Sequence, residues 1–276
     1  MKPLLTIDEP YRAGNVVLRD KTSKEFTPAC PTKFGAVEAV PEFAARWAAD
    51  AAKVFGNDRV LTGTVNASGA CPIGAKALCG QYCFAHRAWS ANVSPRRDVD
   101  AKYLTDAKRL QELGLEIGIF LSYDTEPFPG GIISEISAKL LRVMRDHPPA
   151  ALLIHSHAAH VGHPKIAPLI RDVSQATELI VGIGFETNVD DVGRNNPHYE
   201  PVAERVAALE RLAAMGVKTQ ASTTPLLGYR DYAGFVRNFY NAGVHRIMVG
   251  ELRKEFTGGG TAKANGVHDL GLPVPT

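Results

Sequence analysis

The sequence predicts an α/β fold: a partial (β/α)6 TIM-like barrel of parallel strands, preceded by an irregular N-terminal cap. From residue 60 onward, six short apolar runs alternate with five helical patterns, the order that builds a parallel sheet. The runs are apolar almost throughout, as expected for strands that are covered on both faces. Polar segments follow most of them, and such folds carry function at the carboxyl ends of their strands. The same alternation also fits an open doubly wound sheet, so the sequence leaves both arrangements open.

The composition excludes several classes of protein. The chain has 276 residues, of which 45% are hydrophobic and 22% charged, and its net charge is +2. So small a charge, without a basic stripe, argues against nucleic acid as a partner. No apolar run reaches the roughly 18 residues that a membrane helix needs. The N-terminus does not resemble a signal peptide, so we expect a cytoplasmic protein whose four cysteines are reduced thiols.

Three segments are expected along the chain. Residues 1–58 are rich in proline and form an N-terminal extension or cap, with one helix predicted over 41–55 and an isolated Cys30. Residues 59–252 contain the six β/α units. Residues 253–276 include a glycine-rich stretch and are predicted to be a flexible C-terminal tail.

The elements of the core follow from apolar periodicity and from the residues that end each run. Ala101, Leu104 and Ala107 have helical spacing, and Gly114 follows that helix. Two prolines end the second helix. The predicted strands are 60–66, 115–122, 151–155, 178–185, 217–224 and 245–249. The predicted helices are 98–113, 132–145, 164–172, 199–215 and 232–241.

The most informative stretch follows the first of these strands. We call residues 66–89 the cysteine loop, and it contains Cys71, Cys79 and Cys83 among small and aromatic residues. Thiolates this close on a loop of small residues are spaced to converge on one metal centre. Two sites fit this donor set: an iron–sulfur cluster held by the three cysteines, and a structural Cys3His zinc site that also uses His86.

The cysteine loop and later segments resemble the radical S-adenosylmethionine (radical SAM) superfamily, and most closely its spore photoproduct lyase-like branch. The stretch Thr125-Glu126-Pro127-Phe128-Pro129 is similar to a T-D-P-Y-Q-P-like segment of that branch. Residues 204–217 and 225–231 follow its later motifs in order. The resemblance covers about residues 60 to 250. The loop residues that match the branch, in order, are Asn66, Gly69, Cys71, Cys79, Tyr82, Cys83, Phe84 and Ala85.

The spacing of the cysteines differs from the usual C-x3-C-x2-C of the superfamily. Seven residues separate Cys71 from Cys79, and three separate Cys79 from Cys83. A second register, Cys79, Cys83 and His86, has the usual spacing but puts histidine in the third position. We favour the three cysteines, because aromatic residues flank Cys83 as they flank the third cysteine of the family, and because three thiolates hold such a cluster better than two thiolates and an imidazole.

The resemblance implies a function. In this superfamily three cysteines bind a [4Fe–4S] cluster, and the remaining iron binds the methionine part of S-adenosyl-L-methionine. Reductive cleavage gives a 5′-deoxyadenosyl radical that takes hydrogen from the substrate. For this chain we expect a small-molecule or peptide substrate and an electron donor such as flavodoxin or ferredoxin. Whether the enzyme is a lyase, a mutase or an oxidoreductase stays open.

The resemblance also implies which residues contact S-adenosylmethionine. The turn after the second strand takes the place of the motif that holds the amino group, through backbone carbonyls and an acidic side chain. The ends of the later strands take the places that border the carboxylate, the ribose and the adenine. His155 and His157 share one face, because side chains alternate along a strand. The expected contacts are Tyr123, Asp124, Thr125, Glu126, His155, Ser156, His157, Glu186, Arg194, Thr223 and Leu226.

Two other functions compete with this interpretation. The first is a DNA-lesion lyase of the spore photoproduct lyase type. That lyase uses an additional cysteine late in its chain, and here no cysteine follows Cys83. The second is a non-enzymatic protein whose Cys3His zinc site is structural. Colour separates the zinc protein from an iron–sulfur protein, because only the latter is brown.

Overall fold

The computed structural model describes residues 11–13, 16–18, 35–39, 61–73, 93–114, 116–123, 125–190, 200–223 and 229–249. The strands within them are β1 Tyr11–Ala13, β2 Val16–Leu18, β3 Val37–Ala39, β4 Leu61–Val65, β5 Ile117–Leu121, β6 Ala151–Ser156, β7 Glu178–Gly184, β8 Lys218–Thr223 and β9 Arg246–Val249. The helices are α1 Val99–Glu112, α2 Gly131–Asp146, α3 Ala167–Ser174, α4 Val202–Ala214 and α5 Tyr232–Asn241, with a 3-10 turn at Ala159–Gly162.

Seven strands form one sheet in the order β3-β4-β5-β6-β7-β8-β9. The pairs from β4 to β9 are all parallel, and only β3 runs antiparallel to its neighbour. Strand order follows chain order without a reversal, and β-α-β crossovers are right-handed, so the helices lie on one face of the sheet. The described sheet is therefore singly wound, like part of a TIM barrel, and its end strands β3 and β9 do not pair. This confirms the predicted α/β fold and decides against the doubly wound alternative.

The two faces of the sheet differ in chemistry. On the face covered by helices, Leu121, Ile154 and Ile183 are wholly buried and belong to one apolar core with residues of α2, α3 and α4. The opposite face, which we call the inner face, carries several polar residues among apolar ones. The strand register sets four of its residues side by side on β6, β7, β8 and β9: His155, Gly182, Gln220 and Arg246. A sheet that buries one face in a core and lines the other with polar groups is suited to hold a ligand on the polar face.

Glycines follow three of the helices, and the first of them confirms the prediction made from Gly114. Gly114, Gly216 and Gly243 follow α1, α4 and α5 with φ of 65°, 81° and 70°. This left-handed conformation suits glycine at the end of a helix. The starts of two helices were predicted three residues too early. Residues 164–166 form a turn, and α3 begins at Ala167 with a second proline, Pro168, in its first turn. The helix predicted from residue 199 begins at Val202 as α4.

The N-terminal region contains more regular structure than the irregular cap that the sequence predicts. Strands β1 and β2 form an antiparallel pair, and β3 adds an antiparallel edge strand to β4. The carboxylate of Asp106 on α1 accepts three backbone N–H bonds in front of β3, from Gly35 at 2.9 Å, Ala36 at 2.7 Å and Val37 at 2.9 Å. This contact fixes β3 against the core.

Some predictions fall outside the described residues. They are the helix over 41–55, Cys30 and the tail over 253–276. Within the part of the chain that the structure describes, no helix is both long enough and apolar enough to cross a membrane.

Candidate functional site

The predicted site residues that the structure describes gather at the carboxyl ends of β4 to β8. Cys71 lies in the loop that follows β4 and is partly exposed. The predicted residues outside the described part of the chain are Cys79, Cys83, Asp124, Arg194 and Leu226. Among the described residues, no group of three His, Cys, Asp or Glu side chains is arranged to hold a metal ion. The three-cysteine site therefore stays a prediction, since two of its ligands are not described.

The start of the cysteine loop is held by backbone contacts to a neighbouring segment. Gly69 donates its N–H to the carbonyl of Ser94 at 2.9 Å, and Arg96 donates to the carbonyl of Ala67 at 3.0 Å. A Cβ on Gly69 would come within 2.5 Å of the Ser94 hydroxyl oxygen, so a larger residue here would require that hydroxyl to rotate away. These contacts fix the backbone that leads directly into Cys71.

The turn after β5 is tied to the end of β4. Ser122 adopts φ of 55°, a left-handed conformation that is uncommon for residues other than glycine. Its N–H donates to the carbonyl of Val65 at 2.8 Å, and Tyr123 donates its N–H to the Thr64 hydroxyl at 3.1 Å. The turn closes with an N–H bond from Thr125 to the Ser122 carbonyl at 3.2 Å. The ends of β4 and β5 thus form one connected edge.

Two buried oxygen atoms on this edge lack a hydrogen-bond partner within the described ranges. They are Asn66 Oδ1, just after β4, and Thr125 Oγ1, just after β5. Buried polar groups are nearly always hydrogen-bonded in folded proteins, and those that are not call for an explanation. A bound ligand with donor groups explains both, so this edge fits a molecule that carries an ammonium or hydroxyl group.

Glu126, predicted only as a cofactor contact, also joins the turn after β5 to the end of β6. Its side chain is buried, and one carboxylate oxygen accepts from the Ser156 hydroxyl at 2.5 Å and from the Phe128 N–H at 3.0 Å. The other oxygen accepts from the N–H of His157 at 2.8 Å. Burial raises the pKa of this carboxyl, although these hydrogen bonds and His157 act in the opposite direction. Glu126 thereby fixes the end of β6 to the turn after β5.

A buried ion pair follows at the ends of β6 and β7. His157 Nδ1 lies 2.6 Å from one carboxylate oxygen of Glu186, whose side chain is 3% exposed. On the far side, Arg205 of α4 lies 3.5 Å from the other oxygen and donates to the carbonyl of Gly184 at 2.5 Å. Its guanidinium also lies 5.1 Å from the ring centroid of Phe185. The carboxylate of Glu186 is thus held between two cationic groups.

The two histidines of this cluster have opposite charge preferences. Burial lowers the pKa of His157, but the neighbouring Glu186 outweighs burial, so its pKa is raised and the protonated form is favoured. Burial lowers the pKa of His155 to about 3, with His157 acting in the same direction, so His155 is neutral at pH 7. Their ring centroids are 5.6 Å apart. The site therefore presents a cationic and a neutral imidazole side by side.

Two glycines of β7 make room for these rings. A Cβ on Gly182 would lie 2.8 Å from His155 Cδ2, and a Cβ on Gly184 would lie 2.5 Å from His157 Nδ1. Both histidines therefore lie across β7 on the inner face, which confirms that the two side chains share one face. Neither glycine was assigned a role from the sequence, although their alternation within an apolar strand is a visible signal of a close approach.

The other described site residues have structural contacts of their own. Thr223 is buried and donates its hydroxyl to the carbonyl of Met248 at 3.1 Å, which links β8 to β9. Ser156 is buried, and its hydroxyl donates to Glu126. Their predicted contacts with a cofactor stay predictions.

The sequence assigned no role to Arg205, Gln220 or Arg246. Arg205 lies within a segment that resembles a family motif, but only the fold brings it from α4 to the end of β7. Gln220 and Arg246 lie within two predicted strands, and only the strand register sets them side by side on the inner face.

Comparisons with known proteins were made with the chain and with the fold. No protein-family model matches the chain, and a search of curated proteins found no match. Among solved structures, a mutant of spore photoproduct lyase has a TM-score of 0.49 and 12% identity, and covers 65% of this chain. The cobalamin-dependent S-adenosylmethionine radical enzyme OxsB, with aqua-cobalamin bound, has a TM-score of 0.45 and 10% identity over 75% of this chain. A radical SAM methyltransferase from Sphaerobacter thermophilus has a TM-score of 0.44 and 14% identity over 78%.

This chain matches only part of the length of each of these proteins. The chain spans 51% of the lyase, 30% of OxsB and 65% of the methyltransferase.

Proposed function

We propose that the protein is a radical SAM enzyme that acts on a small-molecule or peptide substrate. One observation carries the proposal: the residues to which the resemblance assigns contacts with the cluster or with S-adenosylmethionine lie at or after the ends of β4, β5, β6, β7 and β8, five neighbouring strands of a singly wound parallel sheet. Polar segments at the carboxyl ends of adjacent parallel strands meet at one edge, where folds of this class bind their ligands.

The proposed cofactors are a [4Fe–4S] cluster held by Cys71, Cys79 and Cys83, and S-adenosyl-L-methionine. When bound and reduced, they supply a 5′-deoxyadenosyl radical that abstracts hydrogen from the substrate, a chemistry that belongs to the cofactor. The described residues fit such a ligand on two counts. Thr125 Oγ1 is a buried acceptor without a partner among them, and Asn66 Oδ1 is another beside it on the same edge.

The amino group and the carboxylate of the methionine part would then each have a suitable partner. The backbone carbonyls over residues Tyr123 to Thr125 would accept from the amino group, with Thr125 Oγ1 as an additional acceptor. Glu126 keeps this turn in position, since its carboxylate oxygens already accept from protein groups. Protonated His157, held by Glu186, suits the carboxylate, because a cationic donor forms a strong charge-assisted hydrogen bond.

The remaining assignments follow the resemblance. His155 and Arg194 border the ribose or carboxylate, and Thr223 and Leu226 border the adenine. The reductant is a flavodoxin or a ferredoxin, the reduced thiols suit the cytoplasm, and the reaction is that of a lyase, a mutase or an oxidoreductase. No observation on the described residues favours a DNA substrate or a purely structural zinc site.

Anaerobic reconstitution tests the proposal. The protein is loaded with iron and sulfide, reduced with dithionite and given S-adenosylmethionine, and 5′-deoxyadenosine is measured by mass spectrometry. We expect a brown protein that produces it, and Cys71→Ala, Cys79→Ala and Cys83→Ala variants that do not. A brown protein that cleaves S-adenosylmethionine at a different bond would keep the cluster but change the reaction. A colourless protein with one zinc ion per chain would overturn the proposal.

A further inference from the structure

Arg246 lies on the inner face, in the same row as His155 and three strands away from it. It begins β9 and pairs in register with Gln220 of β8, which in turn pairs with Gly182 beside His155. Its side chain is partly buried, and burial lowers its pKa, although a guanidinium stays protonated at neutral pH. The row thus ends in a permanent positive charge.

The other charged side chains on the described inner face have a partner of opposite charge. Glu38 pairs with Arg96, and Lys218 pairs with Glu178 at 2.6 Å. His157 pairs with Glu186, as described above. Arg246, by contrast, has no carboxylate within ion-pair distance among the described residues. Taking a charge out of water without a partner is costly, so a position of this kind favours an external anion.

Within the described ranges, Arg246 makes a hydrogen bond through Nε and none through its two terminal Nη groups. Its Nε donates to Gln220 Oε1 at 2.5 Å. The amide of Gln220 is fixed in turn, because its Nε2 donates to the Ser222 hydroxyl at 2.6 Å. The guanidinium is therefore oriented through one nitrogen. Its two Nη groups form the planar fork that binds carboxylate or phosphate with two parallel hydrogen bonds.

Among the residues that the structure describes, those that share the row of Arg246 or adjoin it on β8 and β9 add no competing negative charge. His155 is neutral, Gln220 and Ser222 are uncharged, and Met248 follows on β9 with its sulfur 3.7 Å from Gln220 Nε2. Arg246 and the cysteine loop lie at opposite sides of the sheet, because Arg246 is on β9 and the loop follows β4. The row that contains Arg246 and His155 continues past the ends of β5 and β4. An anion bound here would share the inner face with a ligand at the carboxyl edge.

We propose that Arg246, oriented by Gln220, binds an oxyanion of the substrate, either a carboxylate or a phosphate of a small molecule. The proposal rests on the proposed function only in calling this ligand the substrate. The binding of the anion itself rests on the described geometry.

The test follows the arginine Nε–Hε signal of Arg246 by NMR in the isotope-labelled full chain, with the signal assigned by its loss in Arg246→Gln. Inorganic phosphate is titrated in one arm and succinate in the other, at low salt. We expect a saturable shift in the wild type. The arm with the tighter binding tells whether the substrate group is a phosphate or a carboxylate.

Two variants make the test specific. Gln220→Glu puts a carboxylate where Arg246 now meets an amide oxygen, so an internal ion pair should weaken anion binding at least about tenfold while the arginine stays in place. Arg237→Gln, on the exposed side of α5, removes the same charge elsewhere and should leave the titration unchanged. Circular dichroism and thermal unfolding check that each variant is folded.

The outcomes separate the two proposals. Equal shifts of this signal in Gln220→Glu and in the wild type, or the absence of any saturable shift in both arms, would overturn the anion site. The production of 5′-deoxyadenosine is measured on the wild type in parallel. If none is produced although phosphate or succinate binds at Arg246, the proposed function fails and the anion site stands.

Discussion

Replacing Gly184 with alanine should displace His157 from Glu186. The added Cβ would lie 2.5 Å from His157 Nδ1 and 2.6 Å from Cε1, whereas ordinary contacts begin at 3.4 Å. The imidazole must therefore move by about 0.9 Å. A displacement of that size away from Glu186 lengthens the 2.6 Å contact to about 3.5 Å, where a hydrogen bond is weak. We expect a cost of about 1–3 kcal/mol in the free energy of unfolding, typical of an added methyl group in a packed site.

The direction of the pH effect follows from the pKa of His157. Glu186 raises this pKa above the ordinary value of 6.5, so the pair stabilises the folded protein below that pH, and the contribution is lost as the pH rises through the folded-state pKa. Without Glu186 in contact, burial dominates and the pKa of His157 falls. The destabilisation by Gly184→Ala should therefore be larger at pH 6 than at pH 9.

Two measurements check this expectation. NMR titration of the His157 Cε1–H signal gives the pKa, and urea unfolding at the two pH values gives the stability. Ile183→Val is the matched control, since Ile183 is wholly buried on the opposite face of the same strand and its truncation costs about 0.5–1.5 kcal/mol. An unchanged His157 pKa in Gly184→Ala would refute the reasoning, and so would a pH-dependent loss of the same size in the control.

Three further predictions concern the metal ligands and two buried charges. Cys71→Ala should lose iron and sulfide, whereas His86→Ala should keep them, as measured per chain after reconstitution. The reverse result would assign the cluster to Cys79, Cys83 and His86. Asp106→Ala removes the acceptor of three backbone N–H bonds, two of them buried, and should cost about 3–5 kcal/mol in the free energy of unfolding measured in urea. Asp106→Asn should cost less, and wild-type stability of the alanine variant would contradict this role. Arg205→Met removes one of the two cations beside the buried carboxylate of Glu186. We expect it to lower the free energy of unfolding by about 3–5 kcal/mol. It also removes a charge that lowers the pKa of His157, so NMR titration should show that pKa rising, and a fall would contradict the geometry.

The core of the fold could be predicted because its signals are local. A continuous apolar run such as Ile117–Leu121 identifies a buried strand, and a glycine in left-handed conformation such as Gly114 marks the end of the helix before it. Once the order of strands and helices is known, the right-handed crossover rule restricts the possible sheets. The remaining choice, between a singly and a doubly wound sheet, depends on contacts between distant segments. Only the structure resolves this choice.

The features that the sequence missed depend on such distant contacts. Strand β3 has three residues, too few for a periodic signal, and it is fixed by Asp106, which lies 70 positions from Ala36 in the chain. The start of α3 was misplaced because Pro164 and Pro168 both suit the first turn of a helix, and only packing selects the second.

For the candidate site, alternation along a strand was enough to put His155 and His157 on one face. It could not give their opposite charge preferences, because those depend on Glu186 from the next strand and on the depth of burial. The glycines at 182 and 184 were the missed local signal. Two glycines at alternate positions of an otherwise apolar strand indicate that bulky side chains of a neighbouring strand cross it there.

The arrangement around Glu186 is hard to explain by stability alone. A buried ion pair gains little over apolar groups of the same volume, because desolvation offsets most of the attraction. Here one carboxylate meets Arg205, which is 2% exposed, on one side and His157, which is 28% exposed, on the other. Arg205 alone would neutralise Glu186 within the core. The addition of His157 brings a protonated imidazole to the partly exposed carboxyl edge of β6, where a cation can serve a ligand but contributes little to packing. The expense of burying Glu186 is therefore consistent with a role in holding the charge of His157 at the proposed binding edge.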